Sequence, residues 1–276
     1  MVAKSWMYDA IMYLYALSLL FYFSDFVGKS RRAKQTGTGL LAFVWVLQTL
    51  FFFMRASSLQ APAAFSMFDS LFFYSWLIVT LSLALNFFMR MDLFLLFINL
   101  VGFAVSALNF FSDEYVSPLL ARWDIQDELL FVHVSLAIAG YAAFTVSAVL
   151  CGMYLILNSK LKRKKWDATA KRLPNLKSIE TGAYLCVLFG TPLFVSSLVL
   201  GVVWIVLTGE NRLLLDPKVL NSLIIIAAYG FYLIQRIARR KPGSTLVRWN
   251  LAAFAFVVAN YAIFNWVSQF HQWIWR

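Results

Sequence analysis

The chain has 276 residues, of which 62% are hydrophobic and 13% are charged, and its formal net charge is +11. An ordinary soluble domain is about 45–50% apolar and about 25% charged, so this composition excludes a soluble globular protein. With only two cysteines, the chain is not a disulfide scaffold.

Eight apolar runs of roughly membrane-spanning length follow one another along the chain. They predict an all-α, polytopic membrane protein that forms a single transmembrane domain over residues 1–276, because backbone polar groups in lipid are satisfied within a helix. The predicted helices, in chain order, are Ser5–Val27, Thr38–Met54, Ser66–Phe88, Leu93–Phe111, Leu129–Asn158, Thr181–Thr208, Val219–Arg236 and Trp249–Phe270.

Basic residues predict the orientation of these helices. Most of the lysines and arginines fall in alternate loops, at 29–34, 90, 160–177 and 236–248, whereas most acidic residues fall in the other loops. Loops rich in Lys and Arg stay in the cytoplasm. We therefore expect a multi-pass protein of the bacterial cytoplasmic membrane with both termini outside. The same basic loops contact lipid headgroups in this interpretation, and no basic module of a nucleic-acid-binding type is present.

The two histidines of the chain are both predicted at the outer face. His133 lies about five residues inside the fifth predicted helix, and His271 lies just beyond the eighth. A common depth is what two axial ligands of one haem iron require. The alternative is that each imidazole hydrogen-bonds a lipid headgroup or a backbone carbonyl near the interface.

The neighbours of His133 leave both interpretations open. On a helix, His133 shares a face with Ala137, Gly140 and Phe144, where small side chains leave room for a flat ring or for a neighbouring helix. Four tryptophans near the outer face either line a haem edge or form an interfacial belt, and we assign most of them to the belt but keep Trp204 as a candidate cofactor contact.

Several short motifs resemble the CcsA-type cytochrome c assembly family, in order and with similar spacing from about Asp127 to the C terminus. The motifs are His133-Val134-Ser135-Leu136, Gly140-Tyr141-Ala142-Ala143-Phe144, Leu173-Pro174-Asn175-Leu176, Gly190-Thr191-Pro192-Leu193, Gly201-Val202-Val203-Trp204, Asp216-Pro217-Lys218 and Phe270-His271-Gln272-Trp273. The resemblance implies that residues 127–276 are a haem-binding portion.

Two features depart from the family pattern. The cytochrome c synthetases of this family present haem to an apocytochrome on a tryptophan-rich run, and this chain has Arg212-Leu213-Leu214-Leu215 in its place. The family also carries a histidine within the next helix, and the corresponding position here is about Ile234. Together with the chain length, this pattern resembles a small branch of the family associated with bacterial haem biosynthesis. That branch implies a haem-binding regulator that lowers the amount of glutamyl-tRNA reductase.

The resulting hypothesis is one noncovalent haem b, held by His133 and His271 as metal ligands. At its outer edge, Arg122, Arg212 or Lys218 would pair with the propionates. A haem exporter or a haem-handling component of cytochrome c maturation is the first alternative, and a membrane scaffold without cofactor is the second. No catalytic motif is found, so we expect no enzymatic activity.

Overall fold

The computed structural model describes residues 6–58, 67–89, 92–109, 125–164, 173–239 and 241–262. Within these ranges the chain forms eight α-helices and a 3₁₀ helix over Asn211–Leu215. The helices are α1 (Trp6–Gly28), α2 (Arg31–Ser58), α3 (Met67–Met89), α4 (Asp92–Asn109), α5 (Ile125–Lys162), α6 (Leu176–Thr208), α7 (Pro217–Ile237) and α8 (Gly243–Ala262).

The eight predicted helices are therefore confirmed, but several begin earlier than their apolar runs. Ser30 Oγ accepts a hydrogen bond from the Ala33 N–H, which starts α2 seven residues before the predicted start. Asn175 caps α6 in the same way through the Ser178 N–H, at 2.7 Å. Such caps satisfy the first N–H groups of a helix, so the helix begins among charged residues outside the apolar run. The predicted end of the last helix at Phe270 lies outside the described residues.

Six of the described helices, namely α1, α2, α3, α5, α6 and α7, are long and apolar enough to cross a bilayer, and α4 is a shorter apolar helix. The protein is therefore a multi-pass membrane protein. Which side of the membrane holds each terminus stays a prediction from the basic loops.

The helices form two groups that meet on α5. In the N-terminal group α1 packs on α2 and α4, and α3 packs on α2 and α4; in the C-terminal group α5 packs on α6 and α8, and α7 packs on the same two helices. Both α3 and α4 also contact α5. As a result α5 is the most buried of the membrane-spanning helices.

Glycines allow α5 and α6 to pack closely. A Cβ at Gly190 would lie 2.9 Å from the Ala143 Cβ, and a Cβ at Gly140 would lie 3.0 Å from the Phe194 Cβ. Small residues at such positions let helix backbones approach in the absence of a hydrophobic driving force between helices in lipid. Gly140 and Phe144 therefore face a neighbouring helix, which was one of the two interpretations of this face.

Candidate functional site

A cavity of about 460 Å³ lies between the two groups of helices. Its walls come from α3, α4, α5, α6, α7 and α8, and they are mostly aliphatic and aromatic. The polar side chains among the lining residues are Ser70, Tyr74, His133, Tyr141, Thr145, Ser197, Lys218, Ser222 and Tyr261. A mostly apolar cavity of this size with a few convergent polar groups is typical of a site for a small molecule or cofactor.

The imidazole of His133 is held in place by Ser197 of α6. His133 Nδ1 lies 2.6 Å from the Ser197 backbone carbonyl oxygen. A carbonyl oxygen only accepts, so Nδ1 carries the proton and donates it to this bond. In the neutral ring the lone pair is then on Nε2, which is the tautomer that a metal-ligating histidine needs.

The Ser197 hydroxyl makes a second link between the same two residues. It donates to the His133 backbone carbonyl oxygen at 2.8 Å, and its Oγ lies 3.1 Å from Nδ1. One residue of α6 thus contacts both the backbone and the ring of His133. These contacts restrict the rotation of the His133 side chain and fix the orientation of its ring in the cavity wall.

Gly201, one turn after Ser197, leaves the space that the imidazole occupies. A Cβ at this position would lie 2.7 Å from His133 Cε1 and 2.9 Å from Nδ1. Both distances are shorter than any normal carbon contact, so a side chain at position 201 would displace the ring. We call Ser197 and Gly201 together the imidazole seat.

Lys218 supplies a positive charge to the same cavity. It is the second residue of α7, where the Asp216 carboxylate caps the helix by accepting from the Lys218 N–H at 2.8 Å. The residue as a whole is half-buried, and it lines the cavity with His133. A cation in mostly apolar surroundings favours a ligand with an anionic group.

Asn260 of α8 links two further polar groups of the cavity wall. Its Nδ2 donates to the Tyr141 hydroxyl at 2.7 Å and to the Ser222 hydroxyl at 3.1 Å. These bonds connect α5, α7 and α8. The interhelical role expected of asparagine in a membrane helix thus applies here to residues that also line the cavity.

The structure brings together two of the predicted site residues, His133 and Lys218. Of the other predicted residues that are described, Trp204 lies on α6 and Arg212 is exposed on the 3₁₀ helix, and neither is among the residues that line the cavity. Arg122 and His271 lie outside the described residues. The sequence reasoning did not assign roles to Ser197 and Gly201, although their spacing of four residues places both on one helix face.

The described residues contain no group of three or more His, Cys, Asp or Glu side chains able to bind a metal ion. A porphyrin differs from a bare ion because it brings four nitrogen ligands with the iron, so the protein supplies only one or two axial ligands. Cys151 and Cys186 are free, buried thiols within the packed core. They are not among the cavity residues.

Residues 40–271 of the chain match the family described as Cytochrome C assembly protein. The chain belongs to this family. It is also 38% identical over 274 residues to Protein HemX of Brevibacillus brevis, a match that covers 99% of this chain and all of that protein. Protein HemX of Bacillus subtilis is 34% identical over 265 residues, which is 95% of either chain. The family and the small branch predicted from the motifs are both confirmed.

Proposed function

We propose that the chain is a haem-binding protein of the bacterial cytoplasmic membrane that restrains haem biosynthesis by lowering the abundance of glutamyl-tRNA reductase. The observation that carries the haem-binding part is the placement of His133, held by the imidazole seat with its Nε2 as the unprotonated nitrogen, in the wall of a largely apolar cavity. The regulatory part rests on the similarity to the HemX proteins.

The residues of the cavity fit a haem. The apolar walls suit the porphyrin faces, His133 supplies an imidazole ligand, and Lys218 supplies a cation for a propionate. Membership of a cytochrome c assembly family supports the same ligand, because the prosthetic group of a c-type cytochrome is haem. Since Cys151 and Cys186 lie in the core, the expected form is noncovalent haem b.

His271 remains the proposed second axial ligand. It follows the last described residue of α8, Ala262, by nine positions. Nine residues span at most about 30 Å when extended, so chain length does not prevent His271 from reaching the cavity. In this proposal the described residues supply the first ligand, His133, and one propionate partner, Lys218.

The described side chains have separate tasks in this proposal. Ser197 orients the imidazole, Gly201 leaves room for it, and the walls of α4, α5 and α8 exclude water from the ring faces. Lys218 neutralises an anionic edge. The bound haem supplies an iron atom that accepts the imidazole lone pair, and two histidine ligands suit storage or electron transfer better than oxygen chemistry.

A ligand in this cavity would contact helices of both groups at once. It would stabilise the arrangement in which α3 and α4 face α6, α7 and α8, because a ligand shifts an equilibrium through its differential affinity for two states. At the opposite ends of α6 and α7, Glu180 pairs with Arg236, and a Cβ at Gly243 of α8 would meet the same carboxylate. Glu180, Arg236 and Gly243 thus connect α6, α7 and α8 at the ends of these helices that we expect to face the cytoplasm.

The haem-binding part is tested by the absorption spectrum of the purified chain. We expect a haem b spectrum from the wild type, loss of bound haem in His133→Ala, and a changed axial ligation spectrum in His271→Ala. Cys151→Ala serves as a matched control that leaves the cavity intact. A haem spectrum that is unchanged from wild type in both histidine variants would contradict the ligand assignment.

The regulatory part is tested in the host. Deletion of the protein should raise the level of glutamyl-tRNA reductase, and a wild-type copy should restore it. A His133→Ala copy that reaches the membrane in normal amounts should fail to restore it. An unchanged reductase level in the deletion strain would count against regulation without affecting the haem-binding part.

A haem exporter or a haem-handling component of cytochrome c maturation is the second candidate. The family match over residues 40–271 favours it. The run Arg212–Leu215, which replaces the family's tryptophan-rich segment, disfavours a synthetase. Cytochrome c content in the deletion strain separates the candidates, because only the second predicts a decrease.

A further inference from the structure

The cavity has an apolar rim formed by α4 and α8. Leu108 of α4 and Val258 and Tyr261 of α8 line the cavity and are also 62%, 49% and 47% exposed. A residue that both lines a cavity and is exposed outside it lies at an opening. The opening is therefore flanked by these two helices.

The packing of the helices explains why the opening lies there. α4 packs on α1, α3 and α5, whereas α8 packs on α5 and α7. Both helices contact α5, and both contribute to the cavity wall, α4 through Val101 and Val105 and α8 through Phe254 and Val257. α4 is a shorter apolar helix, and Val257 and Val258 of α8 present apolar side chains beside it. In a multi-pass membrane protein we expect lipid chains outside such an apolar rim.

The charged group of the cavity lies at one end of it. Lys218 lies in the first turn of α7, and the rim residues Leu108 and Tyr261 lie at the last turns of α4 and α8. The apolar lining residues Val101 and Phe254 lie seven positions before Leu108 and Tyr261, about two turns deeper in the cavity. A flat amphipathic molecule in a leaflet keeps its anionic edge at the headgroups and its apolar body among the acyl chains. It would pass through the rim in the same orientation, without desolvating its charged edge.

We propose that the rim of Leu108, Val258 and Tyr261 is a lateral portal, through which an anionic, amphipathic ligand passes from the bilayer into the cavity. The inference rests on the proposed function for the identity of the ligand, taken as haem. The competing route is direct uptake from the aqueous phase at the same end of the bundle.

The test uses cysteines introduced at the rim and modified after folding. Leu108→Cys and Val258→Cys proteins are reconstituted in phosphatidylcholine vesicles and treated with N-benzylmaleimide. Haem uptake from haem-loaded donor vesicles is followed by Soret absorbance. Val199→Cys, which is exposed on α6 away from the cavity lining, is the matched control. Treated wild type reports any reaction of the buried Cys151 and Cys186.

We expect modification at either rim position to slow uptake at least about tenfold and to slow haem release from preloaded protein by the same factor. The amount of haem bound at equilibrium should stay the same, as should the rates in the control. Equal slowing of uptake and release marks a blocked route, whereas a group intruding into the site would speed release.

Unchanged uptake in both modified rim variants, with normal haem binding at equilibrium, would overturn the portal and leave the proposed function intact. Faster release after modification would also overturn it, because the label would then act on the site itself. A wild-type protein that binds no haem would contradict the proposed function and, with it, a portal for haem. Measuring the unmodified variants first shows that each folds and binds.

Discussion

The two groups of helices use polar side chains in different ways. In the N-terminal group the polar side chains hydrogen-bond one another across helix pairs: Trp45 Nε1 donates to Thr80, and Trp76 Nε1 donates to Thr49, at 2.8 and 2.9 Å. The C-terminal group has such bonds as well, through Asn260, but its residues His133 and Lys218 also line a cavity. A polar residue in a membrane helix thus indicates a ligand site only when the surrounding helices leave space beside it.

The N-terminal group also contains buried hydrogen bonds that connect three helices. Tyr15 donates to Asn99 Oδ1 at 2.9 Å, and Asn99 Nδ2 donates to Ser82 at 3.0 Å. These bonds link α1, α3 and α4, as expected for asparagine within apolar helices. The contrast with the C-terminal group leads to four predictions, ordered by the size of the expected effect.

Gly201→Ala should have the largest effect on ligand binding among these variants. The new Cβ would displace the His133 ring from Ser197, and overpacking of this kind costs about 1–3 kcal/mol, roughly 5- to 150-fold in affinity. Haem titration monitored by absorbance measures it. Gly152→Ala and Gly230→Ala are matched controls, because a Cβ at either position meets nothing within 4 Å. Equal haem affinity in Gly201→Ala and its controls would contradict the claim that Gly201 leaves the space for the imidazole.

Asn99→Ala should destabilise the protein without changing haem affinity. It leaves the buried hydroxyls of Tyr15 and Ser82 without this partner, at a cost of about 1–3 kcal/mol. Thermal unfolding in detergent measures the loss, and haem titration of the folded protein should stay within about twofold of wild type. A large loss of haem affinity would mean that the hydrogen bonds of Asn99 also shape the cavity.

Lys218→Met should weaken haem binding by about tenfold, and Lys218→Arg should restore most of the loss. The physical reason is the removal of a charge-assisted contact to an anionic edge, which is worth about 1.5–3 kcal/mol. We expect the lower end of this range because the residue is partly exposed to solvent. Arg212→Met, at an exposed position, is the control. Weaker haem binding in Arg212→Met than in Lys218→Met would indicate that Arg212 of the 3₁₀ helix, and not Lys218, pairs with the propionate.

Trp45→Phe should have the smallest effect, a loss of about 0.6 kcal/mol in stability, which is typical of one interhelical hydrogen bond in a membrane protein. Trp76→Phe should behave alike, because the two indoles make equivalent bonds to Thr80 and Thr49. Denaturant or thermal unfolding in detergent measures both. An altered haem spectrum in either variant would contradict the expectation that these hydrogen bonds, which lie outside the cavity lining, do not affect the site.

Much of the fold follows from the sequence. Apolar runs of about 20 residues form helices because the bilayer offers no partners to the backbone, and the eight helices confirm this. Helix starts were less predictable: α2 and α8 begin six or seven residues before their apolar runs, because Ser30 and Pro242 start each helix by local hydrogen bonds. A hydropathy pattern detects the part of a helix that lies in the membrane core, and it does not detect the residues that start the helix outside that core.

His133, Lys218 and the family were identifiable from the residues themselves, since a rare titratable group within an apolar helix and a run of short motifs are visible along the chain. Only the tertiary structure decided which neighbours matter. Ser197 and Gly201 are 64 and 68 positions from His133 and join it because Gly140 and Gly190 let α5 and α6 pack closely. The cavity likewise depends on six helices, and a space between helices has no sequence pattern of its own.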